Sequence, residues 1–163
     1  MEEERAAWIL ASMKNPNCLR ELRKTENLPA RAEDLQLIPG LRGVIGQCSQ
    51  RYEKELTATD TKPEQSRIFI GKEFVKTSLL PLLNKDEHLE DIGIPVTVYD
   101  LKGVGYKMKF KLWSSKYYVL TEGWGAFCRD HPVKPKDVVK LWMFRHREKG
   151  EICFVIFFEK MKK

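Results

Sequence analysis

The sequence lacks any long apolar segment. Its longest apolar run, residues 152–158, is seven residues long, whereas a membrane-spanning helix needs about 18 or more. The chain begins Met-Glu-Glu-Glu, and a secretory signal would instead begin with basic residues followed by an apolar stretch. From both absences we expect a protein that stays inside the cell and has no membrane partner.

Cysteine and histidine are also scarce, with four and three residues respectively. The cysteines are Cys18, Cys48, Cys128 and Cys153. Because none belongs to a Cys-x-x-Cys pair, they are expected to be free thiols in a reducing compartment. Cys128 and His131 have the spacing of two metal ligands, but no second pair completes a tetrahedral site. The sequence therefore predicts neither a disulfide nor a metal.

No motif for phosphate-bearing cofactors is present, since neither GxGxxG nor a Walker loop occurs. The acidic pair Glu90-Asp91 lies in a polar stretch with Asp86 and Glu87, which is typical of a solvated segment rather than of a general acid–base pair. No nucleophile motif accompanies the histidines. These absences predict a protein that is not an enzyme, needs no cofactor and has no small-molecule substrate.

What the sequence does have is a moderate basic excess. It contains 29 Lys and Arg against 23 Asp and Glu, which gives a net charge of +6. Residues 1–54 carry 9 basic and 8 acidic side chains, whereas residues 55–163 carry 20 and 15. Such a charge fits binding to a polyanion, although many proteins of similar charge bind none. The excess lies in the second part of the chain.

The local patterns change character just before Glu55. Residues 6–13 form an apolar stripe at helical spacing, and prolines at positions 16, 29 and 39 interrupt the segment after this stripe. Strand-like alternation is not evident there. We therefore predict a helical N-terminal extension over residues 1–54 and a β-rich domain over residues 55–163.

Seven strands and two short helices are predicted in this second part. The strands are residues 55–60, 66–70, 93–100, 104–113, 116–120, 138–147 and 151–160. We expect the first two to form a hairpin, and the helices to cover residues 72–84 and the segment after Thr121.

The fourth predicted strand has the clearest alternation in the chain. Lys107, Lys109 and Lys111 alternate with the apolar residues Met108 and Phe110. Because successive side chains point to opposite sides of a strand, the three ammonium groups share one face at a spacing of about 7 Å. That spacing suits successive phosphates of a DNA strand. The alternative is a solvated strand whose lysines prevent aggregation.

Two loops carry further side chains suited to nucleic acid. The turn after the lysine strand contains two hydroxyls and a cation, flanked by the aromatic residues Trp113 and Tyr117. The loop of residues 59–67 contains an amide and a guanidinium that can pair with adenine and guanine respectively. The candidates are Ser114, Ser115 and Lys116 in the turn, and Thr59, Thr61, Lys62, Gln65, Ser66 and Arg67 in the loop. The alternative is that both are solvated connections.

Three motifs in residues 55–160 resemble the B3 DNA-binding domain of plant transcription factors. The first is Leu56-x-x-Thr59-Asp60 followed by Ser-Arg-Ile-Phe-Ile-Gly-Lys at 66–72. The most specific is Tyr117-x-x-Leu120-x-x-Gly123-Trp124-x-x-Phe127, preceded by Trp113. The last is the Lys136-Asp137 turn before an apolar strand. The chain departs from the family at Gly71, where proline is usual, and at Lys136, where glycine is usual.

This resemblance implies a mainly β fold, a seven-stranded open pseudobarrel with two short covering helices. It also implies that double-stranded DNA is gripped in the major groove by two arms. The N-terminal arm would be residues 59–67, and the C-terminal arm would be the Ser114-Ser115 turn with Lys109, Lys111 and Lys116 beside it. A nuclear location and a role in transcription follow from the same resemblance.

Two hypotheses for function remain open on the sequence alone. The first is a sequence-specific DNA-binding protein in which Arg67, Gln65 and a serine of the turn contact bases while lysines contact phosphates. The second is a protein interaction module built on a B3-like barrel that no longer recognises a DNA sequence. In either case residues 1–54 are expected to pack on the barrel, to self-associate or to bind a protein partner.

Overall fold

The computed structural model describes residues 28–62 and 65–160, which contain one eight-stranded sheet. Its strands are β1 Ile45–Cys48, β2 Tyr52–Glu55, β3 Arg67–Ile70, β4 Ile94–Tyr99, β5 Gly105–Trp113, β6 Tyr117–Thr121, β7 Val138–His146 and β8 Ile152–Glu159. The chain divides into two compact units, Met1–Ala30 and Arg31–Lys163. Every strand of the sheet belongs to the second unit.

The strands follow the order β1-β7-β8-β4-β5-β6-β3, and β2 pairs with β7 beside β1. All neighbours are antiparallel except β4 and β8, which are parallel. Since β3 at one end has no backbone pairing with β1 or β2 at the other, the sheet is open. The predicted mainly β open pseudobarrel is confirmed, with eight strands rather than seven.

Side chains bridge the opening between β2 and β3. Tyr52 and Lys54 lie on the same face of β2, as positions i and i+2 of a strand do. The Gly71 N–H donates to the Tyr52 hydroxyl at 2.8 Å, and Lys54 Nζ donates to the Phe69 carbonyl at 3.0 Å. Gly71 has a φ of −55°, which proline would share. The glycine, however, keeps an N–H that proline would lack.

The hydrophobic core contains side chains from strands β3 to β8. On β8, Ile152, Phe154 and Ile156 pack in one buried cluster. The intervening residues Cys153 and Val155 are buried as well. This explains why the β8 sequence is apolar throughout instead of alternating, as expected of a strand covered on both faces.

Three predictions about the beginning of the sheet are wrong. Residues 45–48 and 52–55 form strands that pair with β7, although residues 1–54 were expected to be helical. In the described part of that segment only Ala32–Leu37 form a helix, which is a 3₁₀ helix. The predicted strand 55–60 is absent beyond Glu55, the last residue of β2, and Thr59–Thr61 form a 3₁₀ turn. The expected hairpin is absent, since β2 pairs with β7 and β3 with β6. Strands of four residues are too short to show a reliable period. Residues 1–27 lie outside the described part of the chain.

Two helical segments cover the sheet. The first consists of α1 Lys72–Phe74, a π-helical turn Val75–Leu79 and a 3₁₀ turn Leu80–Leu82. It was expected to be one helix over residues 72–84, but Pro81 has no N–H with which to continue an α-helix. The second is α2 Trp124–Asp130. Within residues 28–62 and 65–160, no helix is long and apolar enough to span a membrane.

The cysteines of the described region, Cys48, Cys128 and Cys153, are free thiols. Burial raises the pKa of Cys48 to about 11 and the pKa values of Cys128 and Cys153 to about 12. They are therefore protonated and unreactive at neutral pH. Cys18 lies outside the described residues.

Gly123 allows the start of α2 to lie directly against β5. A Cβ atom at this position would be 2.4 Å from the Lys107 carbonyl oxygen and 2.9 Å from the Met108 side chain. The φ of Gly123 is −163°, which any residue can adopt. The glycine of the Gly-Trp motif is thus required by the closeness of the two backbones.

Arg145 of β7 holds the loop that precedes β4. Its guanidinium donates to both carboxylate oxygens of Glu87 at 2.7 and 2.8 Å, and to the Leu82 and Gly150 carbonyls at 2.8 Å. The hydrogen bonds from Arg145 hold the pKa of Glu87 below its ordinary value, although partial burial acts in the opposite direction. The ion pair therefore stabilises the fold while Glu87 is ionised.

We expect Gly123→Ala to lower the free energy of unfolding by about 2–3 kcal/mol, because the added methyl group overlaps the β5 backbone. Gly150→Ala is the matched control. Gly150 has a φ of +74° but nothing within 4 Å of its added Cβ, so backbone strain alone should cost about 1 kcal/mol. Urea unfolding measures the change in the free energy of unfolding for both variants. Equal losses in the two variants would contradict a steric role for Gly123.

We expect Glu87→Gln to lower the free energy of unfolding by about 2 kcal/mol at neutral pH, since it removes charge-assisted hydrogen bonds. Folding lowers the pKa of Glu87, so this stabilisation is complete above the unfolded-state pKa and is lost as the pH falls through the folded-state value. The deficit should therefore shrink in acid. Urea unfolding across pH measures it, with exposed Glu90→Gln as control; a deficit independent of pH would refute the assignment.

Candidate nucleic-acid interface

The three lysines of β5 lie on one face of the sheet, as the alternation predicted. Lys107 is exposed and Lys109 and Lys111 are half-buried, whereas the intervening Met108 and Phe110 are in the core. The Lys107 ammonium donates to the Thr97 hydroxyl at 3.2 Å, and Thr97 is its partner on β4. This face therefore carries a row of three cations along β5.

Strand register brings residues of β3 onto the same face. Lys109 is opposite Thr121, which is opposite Arg67. Lys111 is opposite Val119, which is opposite Phe69. Because directly opposed residues project to the same side of a sheet, the lysine row and the strand that follows the N-terminal loop share one face, on which the intervening Val119 and Thr121 are buried.

The Ser114-Ser115 turn lies at the end of the lysine row. Its serines have φ angles of 52° and 58°, and the Lys116 N–H closes the turn on the Trp113 carbonyl at 2.9 Å. Two positive φ angles are typical of a type I′ hairpin turn, which favours glycine or asparagine. Ser114, Ser115 and Lys116 are all exposed. The turn therefore displays its polar groups at some cost in backbone strain.

The N-terminal loop lies at the edge of the same face. Thr59, Lys62 and Gln65 are exposed, while Thr61 is half-buried and its hydroxyl donates to the Ala58 carbonyl at 2.9 Å. Ser66 is half-buried and has a φ of 49°. Lys62 and Gln65 thus have the freest side chains in the described part of this loop.

A buried carboxylate supports the base of this loop. Asp60 is 1% exposed. Its Oδ2 accepts the Thr57 N–H at 3.0 Å and lies 3.1 Å from Lys54 Nζ. Its Oδ1 lies 3.8 Å from Arg67 Nη1 and accepts no hydrogen bond from a described residue. The carboxylate therefore holds two cations below the loop.

The Gly-Trp motif fixes the same loop from the other side. The indole N–H of Trp124 donates to the Asp60 carbonyl at 2.8 Å, within the core. The Thr121 hydroxyl donates to the Ser66 carbonyl at 3.0 Å, and the Gly125 N–H donates to the Ser66 hydroxyl at 3.3 Å. The motif is therefore more than core packing, because it positions both ends of the loop.

Arg67 occupies a different environment from the one its expected role requires. It is 9% exposed, its Nη1 donates to the Thr59 carbonyl at 3.3 Å, and its guanidinium lies 4.5 Å from the Phe69 ring. In this conformation its donors support the loop rather than facing solvent. The other predicted side chains of the loop and turn are exposed or half-buried.

Two contacts of this site were not predicted from the sequence. Lys54 was assigned to the extension but lies under the loop, 5.8 Å from the Phe69 ring. Tyr117 was noted as an aromatic residue beside the Ser114-Ser115 turn, but its contact was not predicted: it is 50% exposed and stacks on Phe69 at 5.3 Å. Only the approach of β2 to β3 and the pairing of β3 with β6 could have revealed these contacts.

Comparison with known proteins gives one family. Residues 36–160 match the family model described as B3 domain-containing protein At2g31720-like. The B3 domain-containing protein At4g03160 of Arabidopsis thaliana is 38% identical over 108 residues, which is 66% of this chain and 56% of that protein. The AP2/ERF and B3 domain-containing transcription factor At1g50680 of the same plant is 28% identical over 104 residues, covering 58% and 30%.

The fold has a solved counterpart as well. The crystal structure of the Arabidopsis thaliana transcription factor LEC2–DNA complex superposes with a TM-score of 0.50 at 21% identity, and covers 70% of this chain and 98% of that one. This likeness concerns the fold. The chain spans about half the length of the curated relatives that it matches. Since the family model matches well over half of the sequence, the chain belongs to the B3 domain family, in its At2g31720-like branch.

Proposed function

We propose that this chain is a nuclear, sequence-specific DNA-binding protein of the transcription factor type, which grips the major groove with two loop arms. The observation that carries the proposal is that the lysine row, the Ser114-Ser115 turn and the strand after the N-terminal loop share one sheet face. LEC2, which has the same fold, was solved in complex with DNA. The relative At1g50680 is named a transcription factor.

The lysines of the site would contact phosphates. Lys107, Lys109 and Lys111 are about 7 Å apart along β5, and exposed Lys116 continues them at the turn. Lys62 adds a cation on the other arm. Such contacts release counterions and fix the protein on the duplex without selecting a sequence.

The exposed polar side chains of the arms would contact bases. Gln65 can pair with the edge of adenine, and the hydroxyls of Ser114 and Ser115 can bond to several base edges. Thr59, Thr61 and Ser66 would contribute from the N-terminal arm. We now assign Arg67 a positioning role, because a base contact would first require it to leave the Thr59 carbonyl.

The alternative function is a protein interaction module. The titration with DNA duplexes described below distinguishes it from the proposed function. Self-association or a protein partner through residues 1–54 stays a prediction, which a deletion that spares the sheet can test. Removing residues 1–54 would delete β1 and β2. Removing Met1–Ala30 leaves the second compact unit complete, and unchanged oligomeric state and folding would contradict the prediction.

We expect Lys109→Ala combined with Lys111→Ala to weaken binding to all duplexes and to reduce the slope of log K against log salt by roughly two, since each phosphate contact contributes about 0.9. The probe is a randomised duplex pool, titrated at several salt concentrations.

The matched control for that variant is Lys76→Ala combined with Lys85→Ala. It removes the same charge from exposed lysines that lie outside β5 and both arms. An equal reduction in slope for both variants would show that only net charge matters. An absence of salt-dependent binding in the wild type would favour the protein interaction module.

We expect Ser115→Gly to have opposite effects on stability and binding. Glycine relieves the strain of a φ of 58°, so the free energy of unfolding should rise by about 1 kcal/mol. Loss of the hydroxyl should weaken binding to the selected duplex several-fold. Lys136→Gly is the control, because Lys136 has a φ of 78° outside both arms and should gain stability without this loss. If Ser115→Gly binds the selected duplex with unchanged affinity, the Ser115 hydroxyl does not contact the DNA.

A further inference from the structure

Three aromatic side chains form a patch between the two arms. The Phe69 and Tyr117 rings stack with centroids 5.3 Å apart, and the Trp113 ring meets Phe69 edge-on at 6.2 Å. Phe69 belongs to the strand that follows the N-terminal arm, whereas Trp113 and Tyr117 flank the turn of the C-terminal arm. We call these three residues the aromatic patch.

The aromatic patch leaves apolar surface exposed in a cationic environment. Tyr117 is 50% exposed, and its ring is supported from below by Phe69. Below Phe69 lie the Arg67 guanidinium at 4.5 Å and the Lys54 ammonium at 5.8 Å, both of which form ion pairs with Asp60. Lys111 lies on the same face, on β5, which is separated from the strand of Phe69 by β6. Because Lys111 and the exposed Lys116 lie beside the patch, we expect a ligand of this surface to be anionic and also to present an apolar group.

Duplex DNA presents one apolar group in its major groove, the methyl group on C5 of thymine. Cytosine carries the same group at the same place when it is methylated. A tyrosine ring held by a stacked neighbour offers a rigid apolar contact at little cost in side-chain entropy. The chemistry of the aromatic patch thus matches a methylated pyrimidine.

On the basis of the proposed DNA-binding function, we propose that Tyr117, supported by Phe69 and Trp113, recognises the C5-methyl group of a pyrimidine in the major groove. The contact discriminates thymine from the other bases at one position of the target. It also makes binding sensitive to cytosine methylation at that position. Phe69 and Trp113 are positioning residues, because they hold the Tyr117 ring.

The test uses the full chain and the duplex most enriched from a randomised pool. Each thymine of that duplex is replaced in turn by deoxyuridine, which removes only the methyl group. We expect one replacement to weaken wild-type binding about fourfold, the effect of burying one methyl group. At the same position, a cytosine–guanine pair and a 5-methylcytosine–guanine pair are compared, which distinguishes thymine from methylated cytosine as the natural source of the methyl group.

Variants assign the effect to the ring of Tyr117. Tyr117→Phe keeps the ring and should keep the discrimination between thymine and uracil, whereas Tyr117→Ser should abolish it. Val104→Ser is the control, because it removes an exposed apolar side chain from the turn between β4 and β5. Thermal unfolding confirms that each variant is folded.

The outcomes separate this inference from the function on which it rests. If the wild type binds no duplex in a salt-dependent manner, the proposed DNA-binding function itself fails. If it binds but every thymine-to-uracil replacement is neutral, or if Tyr117→Ser discriminates as the wild type does, only the methyl contact is overturned. Tighter binding to single-stranded DNA than to duplex would also overturn it, since it would indicate base stacking on the ring.

Discussion

The arrangement of the site depends on one buried hydrogen bond, from the Trp124 indole to the carbonyl of Asp60. It can form because Gly123 lets the start of α2 reach the β5 backbone. The bond fixes the turn from which the N-terminal loop departs, and the carboxylate of Asp60 then holds Lys54 and Arg67 beneath it. A packing constraint in the middle of the chain thereby positions a loop about 60 residues earlier.

The open sheet determines which residues meet on the candidate interface. Register across β5, β6 and β3 places Lys109 in line with Arg67 and Lys111 in line with Phe69. The side-chain bridges from β2 to β3 hold the opening without a continuous backbone ladder. The two arms thus belong to neighbouring strands of one surface, although they are about 50 residues apart in sequence.

Polar surface and backbone strain coincide in the arms. Ser66, Ser114 and Ser115 all have positive φ angles, which glycine would adopt at less cost. Lys136 shows the same feature at 78°, where the family usually has glycine. At Lys136 no polar contact with a residue of the described ranges, 28–62 and 65–160, explains the lysine. In the arms, the serine hydroxyls lie where the proposed DNA ligand would bind, and a polar contact with it would explain the serines.

The sequence by itself determined the strands with strong periodicity and the face on which Lys107, Lys109 and Lys111 lie, because alternation is a local property of the chain. It also determined the family, since the Gly-Trp motif is specific. Only the tertiary structure decided the short strands β1 and β2, the burial of Arg67 and the supporting roles of Lys54 and Asp60. These depend on pairing between distant segments, and four-residue strands carry too little local signal to reveal it.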